Sequence, residues 1–324
     1  MSANKVGRGI LVLCIILGIM GAVMDLVTAA SDYPNKPITY LIPFDPGGQS
    51  DLEARRQQPL LEKILGVPVI ITYKPGGGGS VGWAELANSK PDGYTIAGNN
   101  IPHIILQPLQ RKNAGYQWDD LEPVVLFQTT PIGLAVLKTS PIKTLKDFVA
   151  YAKANPGAIT IAGSGTYTGH HLGYLQFQKL SGTKMTYIPF TGAAPQLAAF
   201  LGGHAMAILA NSNDLVQHHD KIRILAIGSE ERFAALPEVP TFKELGYKMT
   251  CSIDRGVCVP KGTPKERIAI LEKAFLKIAR NREIQQQMVE QGFVPVALGA
   301  AEFKKYSADL TVVYTKLVKE LEGK

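Results

Sequence analysis

Residues 43–55, Pro-Phe-Asp-Pro-Gly-Gly-Gln-Ser-Asp-Leu-Glu-Ala-Arg, join an apolar run to a helix start through a glycine pair, and this junction narrows the possible folds most. Ile38, Tyr40, Leu41 and Ile42 read as a strand, and Ser50 with Glu53 makes a capping-box pattern. Peptide N–H groups in the first turn of a helix lack internal partners, and the helix dipole adds positive charge there. Such a junction can hold a carboxylate by backbone alone. The unit recurs at Val69–Tyr73 with Gly76–Gly79, at Ile159–Ala162 with Gly163–Gly165, and at Met185–Pro189 with Thr191 and Gly192. One glycine turn is often only a tight connection. The repetition points to an α/β protein whose turns converge on one cleft beyond the carboxyl ends of its strands.

Strand and helix patterns alternate from Ile38 to Gly228, as in parallel sheets flanked by helices. Strands are expected at 38–43, 67–73, 94–98, 122–127, 133–137, 158–162, 185–189, 205–210, 223–228 and 255–260. Pro59 is expected to kink or end the first helix. No strand is expected after Pro260. From there the chain reads as helical, with Thr263 as N-cap, Pro264 at the first helical position, and one apolar face of Phe303, Tyr306, Leu310, Val313 and Leu317.

Lys5 and Arg8 precede an apolar run from Ile10 to Met24 and small residues around Ala29 and Ala30, the layout of a cleavable signal peptide over residues 1–30. The run is shorter than the roughly 20 residues a spanning helix needs. Leu13 before Cys14 argues against a lipoprotein site. Export to the periplasm is expected, with a mature chain from about Ser31 that suits two globular units. Thirty-four basic against 27 acidic residues give +7 without a basic cluster. That surplus favours acidic small molecules over nucleic acid. Cys251 and Cys258 are read as buried free thiols, because a strand at 255–260 places their Cα atoms beyond the roughly 7 Å bridging limit.

No residue set supports catalysis or a metal. Gly163-Ser164-Gly165 has Ala162 and Thr166 where a nucleophile elbow needs glycine. His170 with His171, and His218 with His219, are helix neighbours pointing roughly 100° apart, which is unsuited to two-ligand coordination. Gly76–Gly79 lack the Gly-Lys-Ser/Thr of a P-loop. Asp51 and Arg55 are spaced for an ion pair, while Asp51 in a first helical turn is equally placed to meet a ligand donor.

Taken together, Tyr33-Pro34-Asn35-Lys36-Pro37-Ile38, the Pro-Phe-x-x-Gly-Gly-x-x-Asp-x-x-Ala-Arg run, Lys74-Pro75-Gly76-Gly77-Gly78-Gly79, Pro91-Asp92-Gly93-Tyr94-Thr95 and His171-Leu172 mark a family. Ile188-Pro189-Phe190-Thr191-Gly192, Leu236-Pro237-Glu238-Val239-Pro240-Thr241 and Pro260-Lys261-Gly262-Thr263-Pro264 complete the set. The chain resembles the periplasmic solute-binding proteins of the tripartite tricarboxylate transporter family.

The resemblance implies a two-lobed periplasmic-binding-protein fold of type II kind, with the ligand cleft between the lobes and two inter-lobe crossings. Lobe 1 would take 31–128 plus 252–324 and lobe 2 would take 129–251. It also implies a monomer that captures a small organic carboxylate, uses no cofactor and catalyses no reaction. Its partners would be the large and small membrane subunits of a transporter. A periplasmic subunit signalling to a sensor kinase is the alternative.

The matching ligand loops supply Phe44, Asp45, Gly47, Gly48, Ser50, Asp51, Gly78, Gly79 and Ser80 from lobe 1. Lobe 2 supplies Ser164, Gly165, Thr166, Thr168, His171, Phe190, Thr191, Gly192 and Ala193. Asn99, Asn100, Asn211 and Asn213 follow strand ends as polar lining. Asp45 and Arg255 depart from the family pattern: Asp45 would repel an anion unless turned away, and Arg255 is either a ligand partner or half of an inter-lobe ion pair.

Overall fold

The computed structural model describes residues 33–322, so the signal-peptide reading of 1–30, with Cys14, lies outside the described residues. Strands β1 (Ile38–Ile42), β2 (Val69–Tyr73) and β3 (Thr95–Ile101) run parallel. Antiparallel β9 (Ser252–Pro260) extends them on the β3 edge. Helices α1 (Gln49–Leu65), α2 (Ser80–Ala87) and α3 (His103–Gln110) alternate with these strands. Three further helices, α8 (Lys265–Ala279), α9 (Arg282–Glu290) and α10 (Ala300–Glu322), close the chain. This half is built around Ile38, Ile42, Trp83, Phe275 and Phe303, all fully buried. Trp83 keeps its indole N–H satisfied by the Gly98 carbonyl at 2.9 Å, so its ring is buried without an unmade hydrogen bond.

The second half has parallel β5 (Thr160–Gly163), β6 (Thr186–Pro189) and β7 (Ala207–Asn211). With them go β8 (Ile222–Ile227) and helices α4 (Leu145–Ala154), α5 (Gly169–Ser181), α6 (Ala193–Leu201) and α7 (Ser212–Gln217). Its core is separate, with Phe148 and Phe177 on one side of the sheet and Phe200 and Ile208 on the other.

One strand joins the halves. β4 (Leu121–Leu137) is 17 residues long and pairs through Pro131 with β9, then from Ile132 with β7. The expected strands 122–127 and 133–137 are therefore one continuous strand, and the sheet order is β2-β1-β3-β9-β4-β7-β5-β6. The chain returns at Cys251, whose carbonyl accepts from Ile132 N–H at 2.9 Å before β9 begins. The fold is thus two lobes with two crossings, as the type II reading requires.

Four local expectations change. The Ser50–Glu53 capping box does not form: α1 begins earlier, with Gly48 as N-cap and no side-chain cap. Glu53 instead pairs with Arg56, and Ser50 reaches Asn100. Pro59 neither ends nor shortens α1, which continues to Leu65 and stops at left-handed Gly66. α8 starts at Lys265 because Thr263 turns its hydroxyl back to the Pro260 carbonyl at 2.7 Å, leaving Pro264 as N-cap. A tenth strand, β10 (Val294–Gly299), pairs antiparallel with β4 after Pro260. Its Pro295 is tolerated where the register slips, and it masks the strand in the sequence.

The stripe on α10 packs through Phe303, Tyr306 and Leu310, whereas Val313 is 53% exposed. Cys251 and Cys258 are free thiols, and burial pushes Cys251 up to about 12. Among the described residues no helix is long and apolar enough to cross a membrane.

Candidate ligand-binding site

After β1 the chain turns through Pro43–Gly48 into α1, and after β6 it turns through Phe190–Gly192 into α6. These two helix starts face one another: a Cβ on Gly48 would lie 3.8 Å from Ala194 N and 4.0 Å from the Ala193 Cβ. Neither start has a side-chain cap. Uncapped first-turn amides from opposite lobes are a ready anion cradle. Between them lies a cavity of about 20 Å³, walled by Phe44, Gly48, Gln49, Ser50, Asn100, His103 and Arg255 from one lobe and by Ser164, His170, Ala193 and Asn211 from the other. Larger crevices of about 510 and 400 Å³ flank the crossing strands, away from the glycine turns that face each other here.

Arg255 on β9 brings the cavity its positive charge. Burial lowers it to about 10, with Asp214, Glu53 and Asp254 acting in the other direction, so it stays cationic at neutral pH. Its hydrogen bonds go to Thr130 Oγ1 at 3.0 Å and the Ile253 carbonyl at 3.4 Å, and its Nε has no partner. The inter-lobe ion pair considered for it is not formed. Burial, then the Arg255 charge, pushes His170 down to about 3, and burial holds His103 well below its ordinary value. Both imidazoles are neutral. The Ser164 N–H donates to His170 Nδ1 at 3.3 Å and the Ser164 hydroxyl lies 2.6 Å from the same atom, so the ring hydrogen is on Nε2.

Phe44, Gly48, Ser50, Asn100, Ser164, Ala193, Asn211 and Arg255 are thus brought together, and the other expected residues do not line the cavity. Asp51 is turned away: its carboxylate accepts from Gly47 N–H, Arg55 Nε and Tyr73 Oη at 2.7 to 2.8 Å. Burial alone would push the carboxyl up, but these partners together hold it below the usual carboxylate range. The Gly47 amide is spent on that contact. Asp45 Oδ2 is buried without a partner beside Gly192 and is not part of the cavity wall.

Gly78, Gly165, Thr166 and Thr168 make a lobe-to-lobe contact instead. Gln107 Nε2 donates to the Thr166 and Tyr167 carbonyls at 2.8 and 3.0 Å, and Arg111 donates to Thr166 Oγ1 at 2.9 Å. Thr168 is the N-cap of α5. Gly79 packs on Trp83 and Phe44, Ser80 donates to Gly77 O, Phe190 N–H donates to Gly163 O, and Thr191 is exposed.

Of two expected asparagines one lines the cavity, and the expected histidine misses by one residue. Asn99 and Asn100 are strand neighbours on opposite faces, and Asn100 is the one at the cavity while Asn99 turns toward Cys258. His171 lies in an aromatic niche of Tyr167, Tyr174 and Tyr187, whereas His170 faces the cavity. Gln49 and His103 were not anticipated. Each is the first residue of a helix, and neither start is marked by the pattern, which puts the N-cap of the first helix at Ser50.

The family model for the tripartite tricarboxylate transporter family receptor matches residues 54–322. The chain belongs to that receptor family. A UPF0065 protein from the gbd 5' region of Cupriavidus necator is 32% identical over 307 residues, 93% of this chain and 92% of the relative. The structure of the periplasmic binding protein BugD is similar at a TM-score of 0.85 and 27% identity, covering 90% of this chain and 99% of that one. MatC from Rhodopseudomonas palustris, solved with bound malate, aligns at a TM-score of 0.76 and 25% identity, covering 89% and 97%. Family membership accords with a solute-binding receptor for a transporter and does not favour the sensor-kinase alternative.

Proposed function

We propose that this receptor works in the periplasm, exported by a signal peptide cleaved near Ser31, where it captures a small carboxylate as a monomer. It would hand the ligand to the large and small membrane subunits of a tripartite transporter. In this reading lobe 1 comprises 31–128 with 252–324, lobe 2 comprises 129–251, and the cavity at Gly48, Ala193 and Arg255 is the ligand site. One observation carries it: two uncapped helix starts from opposite lobes meet around a buried guanidinium that makes no salt bridge among the described residues. A ligand held by both lobes stabilises the closed arrangement, because only differential affinity moves such an equilibrium. MatC binding malate is consistent with an acid in this class of site.

The reading is also non-enzymatic. Ser164 and His170 are within hydrogen-bond reach, but an imidazole pushed down to about 3 beside a guanidinium is a poor base for a serine proton. Thermal-shift screening of the mature protein against organic acids, followed by calorimetry, tests the proposal. At least one acid should raise the melting temperature and release heat. If none does, the carboxylate reading is wrong.

A further inference from the structure

Asp214 fixes the orientation of three amides in succession. Its carboxylate accepts Nδ2–H from Asn211 and from Asn213, each at 3.1 Å. Asn213 Oδ1 is thereby left to accept, and it does so from Gln49 Nε2 at 2.6 Å, across the gap between the lobes. These bonds fix which end of each amide is nitrogen, and Gln49 Oε1 and Asn211 Oδ1 are left as acceptors that nothing answers. Both oxygens are buried without a hydrogen-bond partner, on residues 2% and 0% exposed that line the cavity. Arg255 Nε and His170 Nε2 are unpartnered donors in the same cavity. Asn211 lies near enough to His170 to favour its proton, but the two close no hydrogen bond.

The wall therefore presents two donors and two acceptors. A plain carboxylate answers the donors and sets its own lone pairs against the acceptors, leaving buried groups unpaired. An ammonium answers the acceptors but adds positive charge beside a buried guanidinium, with no carboxylate among the lining side chains. Resting on the receptor reading above, we infer that the ligand is a hydroxy acid, whose carboxylate meets Arg255 and His170 and whose hydroxyl donates to Gln49 Oε1 or Asn211 Oδ1.

Matched acids test this by calorimetry on the mature protein: malate against succinate, lactate against propionate, and alanine as the ammonium analogue of lactate. In at least one pair the hydroxy acid should bind about tenfold or more tightly than its deoxy partner, the usual consequence of a buried acceptor left unpaired. Gln49→Met, which also removes the Asn213 bond between the lobes, should lower affinity for the hydroxy acid more than for its deoxy partner and so shrink that ratio, with a thermal melt confirming the fold. Equal binding within both pairs overturns the hydroxyl requirement while the receptor reading stands. Tightest binding by alanine overturns the choice of hydroxyl over ammonium. Absence of binding by every acid overturns this inference together with the receptor reading.

Discussion

Two glycine turns leave the same sheet, one after β1 and one after β2, and the molecule uses them differently. At Gly48 the opposing lobe offers Ala193 and the start of α6, so a side chain there would meet only ordinary contacts of 3.5 to 4.0 Å and a gap remains. At Gly78 the opposing lobe offers the Thr166 carbonyl, 2.8 Å from where a Cβ would stand, and the gap is closed. Gln107 seals it with two hydrogen bonds. A glycine turn at a helix start is thus a ligand site only if the facing surface stays small. The first turn keeps a small gap of about 20 Å³ between the lobes, and the second is placed as a clamp between them.

The largest effect should come from filling the first turn. Gly48→Leu meets no backbone strain, since φ is −80°, but pushes a branched side chain toward Ala193. Carboxylate affinity should fall by more than about a hundredfold in calorimetry, while the melting temperature stays close to wild type, as expected for a substitution without cavity, strain or unpaired charge. Undiminished affinity would move the ligand elsewhere and erase the contrast.

A smaller effect is expected at the clamp. Gly78→Ala forces a left-handed position, φ 67°, to accept a Cβ and drives that atom against Thr166. The clash with the Thr166 carbonyl exists only when the lobes are together, so closure should weaken and every acid should lose about tenfold without a change in their ranking. A changed ranking in competition binding would mean that Gly78 touches ligand after all.

These contrasts also mark where the sequence was readable. Strand-turn-helix order and the free thiols followed from apolar runs and glycine spacing, because those signals are local, whereas the candidate ligand residues came from the family resemblance. β4 did not read as one strand, since its halves pack in different cores and Pro131 interrupts the pattern at the crossing. Nor could spacing decide between Asn99 and Asn100, or between His170 and His171. In each pair the neighbours are chemically alike, and the choice depends on which face the second lobe covers. Gln49 was missed for a similar reason: its role arises from Asn213, 164 residues away.

The two histidines yield the smallest and most local test. His171, enclosed by tyrosines, is pushed by burial from 6.5 down to about 4. Between those values the unfolded chain takes up a proton that the folded chain refuses, so stability is lost as pH falls from 6.5 toward 4. His171→Phe keeps a ring in the niche and removes that titration. From pH 7 to 5.5 the wild-type protein should lose about 1 kcal/mol more than the variant in denaturant melts, while Glu53, which burial raises to about 7 and whose protonation favours folding over the same range, cancels in the difference. Because His171 stands outside the cavity, ligand affinity at pH 7 should be nearly unchanged by the same substitution. A large loss of affinity would place His171, rather than its neighbour, against the ligand.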